Sequence, residues 1–77
     1  MSALENTHLA FIGSGVMAEA MISGLLRDRL VAPEAIVASE PRVDRGQFLA
    51  ERYGVRPTTN NVEAVKQAHI VILSVKP

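Results

Sequence analysis

A glycine turn between two different hydrophobic patterns constrains this chain more than any other feature. His8 to Ile12 reads HLAFI, a short apolar run of strand formers that ends at Gly13. From Val16 the period becomes helical, with Met17, Ala20, Met21, Gly24 and Leu25 at i, i+3, i+4, i+7 and i+8. These five residues are expected to form the helix's core-facing stripe. Between the two patterns lies Gly13-Ser14-Gly15-Val16-Met17-Ala18. Gly13 permits a tight turn out of the strand. Gly15, without a Cβ, lets a pyrophosphate approach the backbone closely, and Ala18 in the third position keeps helix and sheet close. The first amides of such a helix point at the ligand, and the helix dipole favours its negative charge. A glycine pattern alone is weak evidence. Here it follows an apolar strand and opens an amphipathic helix, the context of a dinucleotide-binding turn.

The remainder of the chain repeats the alternation. Arg27, Asp28 and Arg29 end the first helix, and Ala32, Pro33 and Glu34 form a loop. Ala35 to Ser39 is the second strand, stopped by Pro41. A helix follows from Val43 to Tyr53, with Phe48, Leu49 and Tyr53 as its apolar side and Gly54 as a left-handed cap. Val55 to Thr58 is a short third strand, placed near an edge by Pro57. Asn60 with Glu63 fits a capping box opening a third helix, whose apolar side is Val62 and Val65. His69 to Val75 (HIVILSV) is the fourth strand, ended by Lys76-Pro77. The order βαβαβαβ predicts right-handed crossovers and a parallel sheet with helices on both faces. The fold class is α/β, Rossmann-like, with strand order 3-2-1-4. Residues 1–77 read as the N-terminal part of a dinucleotide-binding domain.

Two further positions follow from that topology. Glu40 lies 22 positions beyond Ala18, where an acid accepts hydrogen bonds from adenosine ribose hydroxyls. An acid there favours NAD, whereas Arg42, two positions on, could pair with a 2′-phosphate and favour NADP. The two residues conflict, and both alternatives stay open. In strand order 3-2-1-4, strands one and four flank the topological switch point, which puts Gly13 and Ser74 on the same crevice. Ser74-Val75-Lys76-Pro77 then borders it, although Lys76 equally suits a solvated terminal lysine. His8 and His69 begin strands and read as structural. Met17 and Met21 read as helix core, and Tyr53 as packing beside Gly54. No nucleophile–base pair or paired carboxylates emerge, and no residue is nominated as catalytic.

Composition narrows the partners. Eight Lys and Arg against eight Asp and Glu leave no net charge, so nothing draws the chain to nucleic acid or an anionic membrane. Cysteine is absent, which removes disulfides and thiolate metal sites. Met1 to Thr7 lacks a basic region, and glycines break the apolar stretch after it. Neither a signal peptide nor a membrane span is expected, and a cytoplasmic location is the default. A chain of 77 residues buries about 60–65% of its unfolded surface, so marginal stability is expected.

These residues resemble a known family. FIGSGVMAEAMISGLL, from Phe11 to Leu26, is similar to the N-terminal motif of pyrroline-5-carboxylate reductases, typically FIGxGxMAxAxxxGL. Tyr53-Gly54-Val55, Asn61 and Val71 to Pro77 (VILSVKP) resemble that family in the same order and spacing. The resemblance implies hydride transfer from NADP or NAD in reduced form to the C=N bond of 1-pyrroline-5-carboxylate, giving proline. It implies that Ile12, Gly13, Ser14, Gly15, Val16 and Met17 wrap the pyrophosphate. Residue 40 would lie at the adenosine ribose, Asn61 near the adenosine half, and Ser74, Val75, Lys76 and Pro77 along the nicotinamide side. Glu40 stands where the family often has a small hydroxyl or a phosphate-tolerant residue. The family's second, helical domain forms a homo-oligomer and supplies the imine pocket. None of it is in this sequence, so no independent turnover is expected. Other readings are a β-hydroxyacid-dehydrogenase-like or deazaflavin-dependent reductase, and a non-catalytic nucleotide-binding module. A fragment that associates through the edge of its fourth strand is a further expectation.

Overall fold

A computed structural model describes residues 6–13 and 15–74. The strands are β1 (Leu9–Ile12), β2 (Ile36–Ser39), β3 (Arg56–Thr58) and β4 (Ile70–Leu73). The helices are α1 (Val16–Arg27), α2 (Val43–Tyr53) and α3 (Asn61–Val65), with one 3-10 turn at Pro33–Ala35. All pairings are parallel and the order is β3-β2-β1-β4, the topology expected from the alternation. Ile12 is level with Ser39 and with Leu73, and Ser39 with Thr58. The carboxyl ends of the four strands therefore form one row, and whatever follows each strand lies on a common rim.

The core explains why β1 and β2 read as continuous apolar runs. Leu9, Phe11, Ile36 and Ala38 pack with Ala18 and Ile22 of α1 and Leu49 of α2. Complete burial of Phe11, Ile22, Ile36 and Leu49 contributes about 1.5–3 kcal/mol each. α1 and α2 share this face of the sheet, while the crossover from β3 to β4 carries α3 to the other, where Ala64 is buried. A polar bridge also ties α1 to α2: the Tyr53 hydroxyl donates to Glu19 Oε2 at 2.6 Å, and Arg45 Nη2 to Oε1 at 2.8 Å. Tyr53 thus holds two helices together in addition to packing against the core.

The sheet selects different helix faces from those the sequence periodicity suggests. On α1 the buried residues are Ala18 and Ile22, with Leu25 and Leu26 partly covered. Met17 and Met21 are 72% and 42% exposed, so they are not a core stripe. α1 is apolar around most of its circumference, and a stripe one position along satisfies the same spacing. On α2, Gly46 and Leu49 are buried, and Phe48 lies outside beneath the guanidinium of Arg45, 5.3 Å from the ring centroid. On α3 the buried residue is Ala64, while Val62 and Val65 are exposed.

Caps define the helix ends. Arg29 adopts φ 54° after α1, with Arg29 N bonded to Leu26 O and Leu30 N to Leu25 O. These two bonds close a Schellman motif, with an arginine where glycine is usual. Gly54 ends α2 at φ 79°, the left-handed cap expected there. Asn60 Oδ1 accepts from the backbone N–H groups of Val62 and Glu63 at 2.9 and 3.1 Å. The Asn60 amide donates to Thr58 Oγ1 and not to Glu63, so only half of the capping box forms.

At the amino ends of the strands, His8 N donates to His69 Nδ1 at 2.8 Å and the two rings stack 5.5 Å apart. The histidines thus join the starts of β1 and β4, as a structural reading expects. Among the described residues no helix is long and apolar enough to cross a membrane, and no three His, Cys, Asp or Glu converge as a metal site.

Candidate functional site

The rim at the carboxyl ends of the strands gathers most of the residues that the sequence singles out. Ile12 is the last residue of β1, and Gly13 leaves it at φ 86°, a conformation that favours glycine. Gly13 N donates to Ser39 O at 2.9 Å, extending the β1–β2 ladder one step beyond the strands. From the other side, Ser74 N donates to Ile12 O at 2.9 Å. The Ser74 hydroxyl reaches both Ile12 O at 3.1 Å and Gly13 O at 2.5 Å. Gly13 and Ser74 therefore meet on one crevice, as the strand order predicts.

Gly15 caps α1 at φ −83° and ψ −161°, extended backbone open to any residue, and no side chain caps the helix. Among the described residues, a Cβ built on Gly15 would meet no atom within 4 Å apart from its chain neighbours. Neither backbone strain nor packing among the described residues requires a glycine there. The space a side chain would take is at the amide end of α1, where an anion is favoured. Val16 and Met17, the next two residues, are exposed.

The second half of the rim follows β2. Glu40 N donates to Thr58 O at 2.9 Å, which carries the backbone past the end of β3 and leaves Glu40 only 4% exposed. Its carboxylate receives three hydrogen bonds from Arg42. The backbone N–H donates to Oε2 at 3.0 Å, Nε to Oε2 at 2.8 Å and Nη2 to Oε1 at 3.2 Å. The two residues that the sequence sets against each other thus form one bidentate ion pair, with Glu40 inside and Arg42 65% exposed. The hydrogen bond to Glu40 and its charge hold the Arg42 guanidinium above its ordinary pKa. A cleft of about 170 Å³ runs beside Glu40, between Val43 at the start of α2 and Thr58 at the end of β3.

Asn61 opens α3, and its Oδ1 accepts a short hydrogen bond from the hydroxyl of Ser39, which is almost fully buried. Ser39 is the residue that sequence reasoning passed over. It accepts from Gly13 through its carbonyl and donates to Asn61 through its side chain, joining the two halves of the rim. Its one sequence signal is a small hydroxyl closing an otherwise apolar strand. Ser14, Val75, Lys76 and Pro77 lie outside the described residues. Both histidines sit at the opposite ends of the strands, so among the described residues the rim offers no histidine as acid or base.

Known proteins match this arrangement. Residues 8–77 match the family described as NADP oxidoreductase, coenzyme F420-dependent. A pyrroline-5-carboxylate reductase from Synechocystis is 41% identical over 69 residues, covering 90% of this chain and 26% of the relative. One from Vibrio alginolyticus is 39% identical over 74 residues, covering 96% of this chain and 27% of the relative. The solved structure of a pyrroline-5-carboxylate reductase from Coxiella burnetii superposes with a TM-score of 0.87 at 32% identity, covering 92% of this chain and 26% of that one. The chain thus spans about a quarter of the length of the relatives it matches.

Proposed function

This chain belongs to the family described as NADP oxidoreductase, coenzyme F420-dependent, and from that premise we propose that it is the dinucleotide-binding part of a pyrroline-5-carboxylate reductase. Gly15 is the observation that carries the cofactor assignment. It is a glycine in ordinary extended backbone, with empty space where its Cβ would be, at the uncapped start of α1. That is the shape a pyrophosphate needs, and no packing among the described residues calls for it.

In this reading Ile12 to Met17 wrap the pyrophosphate. Ser74 fixes the turn by holding the carbonyls of Ile12 and Gly13 through its hydroxyl. Glu40 and Arg42 stand at the adenosine ribose, Asn61 near the adenosine half, and Ser74 to Pro77 along the nicotinamide side. NADP or NAD in reduced form supplies a hydride when bound. This chain's residues bind and orient that cofactor. The substrate, pyrroline-5-carboxylate, comes from the names of the relatives, and its reduction to L-proline from the resemblance in the sequence. The imine pocket and the homo-oligomeric contacts lie, on this proposal, in the part of those relatives' length that this chain does not span. A cytoplasmic location is part of the same reading.

The family's description favours one second reading, a reductase that works with a deazaflavin coenzyme. The curated matches support the first. Eight relatives at 36–41% identity all carry the pyrroline-5-carboxylate reductase name.

Titration of the protein with NADPH and NADH, followed by reduced-nicotinamide fluorescence, tests the cofactor site. Saturable binding that Gly15→Asp abolishes is expected. A folded protein that binds neither nucleotide, or binds equally well with Asp at position 15, overturns the assignment.

A further inference from the structure

The two edges of the sheet differ in what they offer another strand. On β3, Thr58 turns its backbone groups toward β2, as the bond from Glu40 N to Thr58 O shows. The alternation of a parallel ladder then turns Pro57 outward. Proline has no N–H, so the middle of that edge lacks a donor, and Arg56 beside it adds a charge.

β4 carries no such guard. Its bonds to the β1 side run from Ile70 N to His8 O and from Ser74 N to Ile12 O. Residues 70, 72 and 74 therefore face β1, while Val71 and Leu73 turn both N–H and C=O outward. Among the described residues β4 has no neighbour but β1, so these groups have no strand to pair with. The side chains are open too. Ile72 packs toward the core on the α1 face, and Val71 and Leu73 lie on the opposite face, 43% and 74% exposed. On that face α3 packs over β1, β2 and β3. No proline or charged residue occurs from Ile70 to Leu73.

A second copy of β4 fits every outward group. With a two-fold axis normal to the sheet at Ile72, the strands run antiparallel and like faces stay together. Val71 of each copy then lies opposite Leu73 of the other, and each such pair exchanges both of its backbone bonds. The alternative that also keeps like faces together sets Val71 opposite itself and Leu73 opposite His69. The His69 N–H already bonds to His8 O, so that register leaves Leu73 unsatisfied. The chain carries no net charge, so no overall repulsion opposes the approach.

We propose that the free edge of β4 is a self-association surface, at which two copies of this chain pair antiparallel, Val71 against Leu73, into one continuous sheet. The assembly closes at two copies, because its outer edges are then the two β3 strands, each blunted by Pro57. Ile70, Val71 and Leu73 are the exposed apolar side chains of β4, well short of the ~800 Å² per partner of a standard interface. A dissociation constant in the micromolar range is therefore expected. This contact is separate from the cofactor site and from the oligomeric contacts proposed above.

Sedimentation of the 77-residue chain from about 1 μM to about 1 mM tests the pairing. The weight-average mass is expected to reach twice that of the monomer and to stop there. Val71→Pro removes an outward donor without costing a bond to β1, and Leu73→Lys places a charge on the open face. Each should weaken association at least about tenfold. Circular dichroism at a concentration where the parent is monomeric reports the fold, and Leu73→Lys carries the comparison if Val71→Pro does not fold. Oxidation reads the register, since the chain has no cysteine of its own. Ile72→Cys should form a disulfide across the two-fold, whereas Ile70→Cys, opposite Ser74, should not. A parent that stays monomeric at about 1 mM, grows past the dimer, or associates no better than the Leu73→Lys variant overturns the proposal. Cross-linking of Ile70→Cys as readily as Ile72→Cys overturns the register.

Discussion

The hydroxyl of Ser74 donates to the carbonyl oxygen of Gly13, at 2.5 Å, across 61 positions of sequence. One side chain at the end of β4 thereby holds the first peptide of the glycine turn at the end of β1. Ser74→Ala leaves the Ser74 N–H bond to Ile12 intact and removes the hydroxyl bonds. A loss of about 1 kcal/mol in stability is expected, a fall of roughly 4–8 °C in Tm for a domain of this size. Thermal denaturation measures it, and an unchanged Tm would show that the contact is not formed in solution.

Gly15 separates binding from folding. Gly15→Ala places a methyl where, chain neighbours apart, no atom of the described residues lies within 4 Å, in backbone that alanine adopts freely. Stability should fall by less than about 1 kcal/mol, the difference between glycine and alanine at an N-cap. Nucleotide affinity should fall at least about tenfold as the methyl occupies the pyrophosphate's approach. Parallel urea melts and fluorescence titrations compare the two. Equal affinity for parent and variant would remove the reason given for this glycine.

Arg29 offers a stabilising substitution. It holds φ 54° in a Schellman motif, a conformation that costs an L-residue about 1–2 kcal/mol. Glycine relieves that cost and gives back part of it through a more flexible unfolded chain. Arg29→Gly should raise stability by up to about 1 kcal/mol in chemical denaturation. A destabilised variant would mean that the arginine side chain has a contribution larger than the strain.

The bridge between α1 and α2 should make stability depend on pH. Hydrogen bonds from Tyr53 and then Arg45 lower the Glu19 pKa below its ordinary 4.5. A depressed folded-state value means that the bridge stabilises the protein above that ordinary value. The contribution is lost as pH falls through the folded value. Tyr53→Phe should therefore cost more at pH 7 than well below pH 4.5, read as the gap between urea midpoints. A gap that stays constant or widens in acid would exclude Glu19 as the titrating partner.

The β-strands were the most legible elements because their cues are local. Apolar runs bounded by Gly13, Pro41 and Lys76-Pro77, and the alternation of periods, are enough to order β1 to β4 and to place β3 at an edge through Pro57. Gly54 and Asn60 marked a helix end and a helix start for the same reason, since each cap acts on backbone a few residues away. Helix orientation was less legible. The methionine stripe on α1 and the valines on α3 satisfy helical spacing yet face outward, because spacing identifies an apolar face without saying which one the sheet covers.

The sequence by itself determined the glycine turn, the alternating order and hence the parallel sheet, because each depends on the conformational limits of residues close together in the chain. Tertiary structure alone decided how the rim is wired. Ser74 reaches Gly13, Ser39 reaches Asn61, and Tyr53 reaches Glu19 only once the crossovers have brought distant segments level. It also turned Glu40 and Arg42 from rivals into partners. They are two positions apart in the chain, but the turn after β2 buries the acid and aims the guanidinium back onto it. A buried charge is costly unless it is paired and hydrogen-bonded, and burial depends on three-dimensional neighbours.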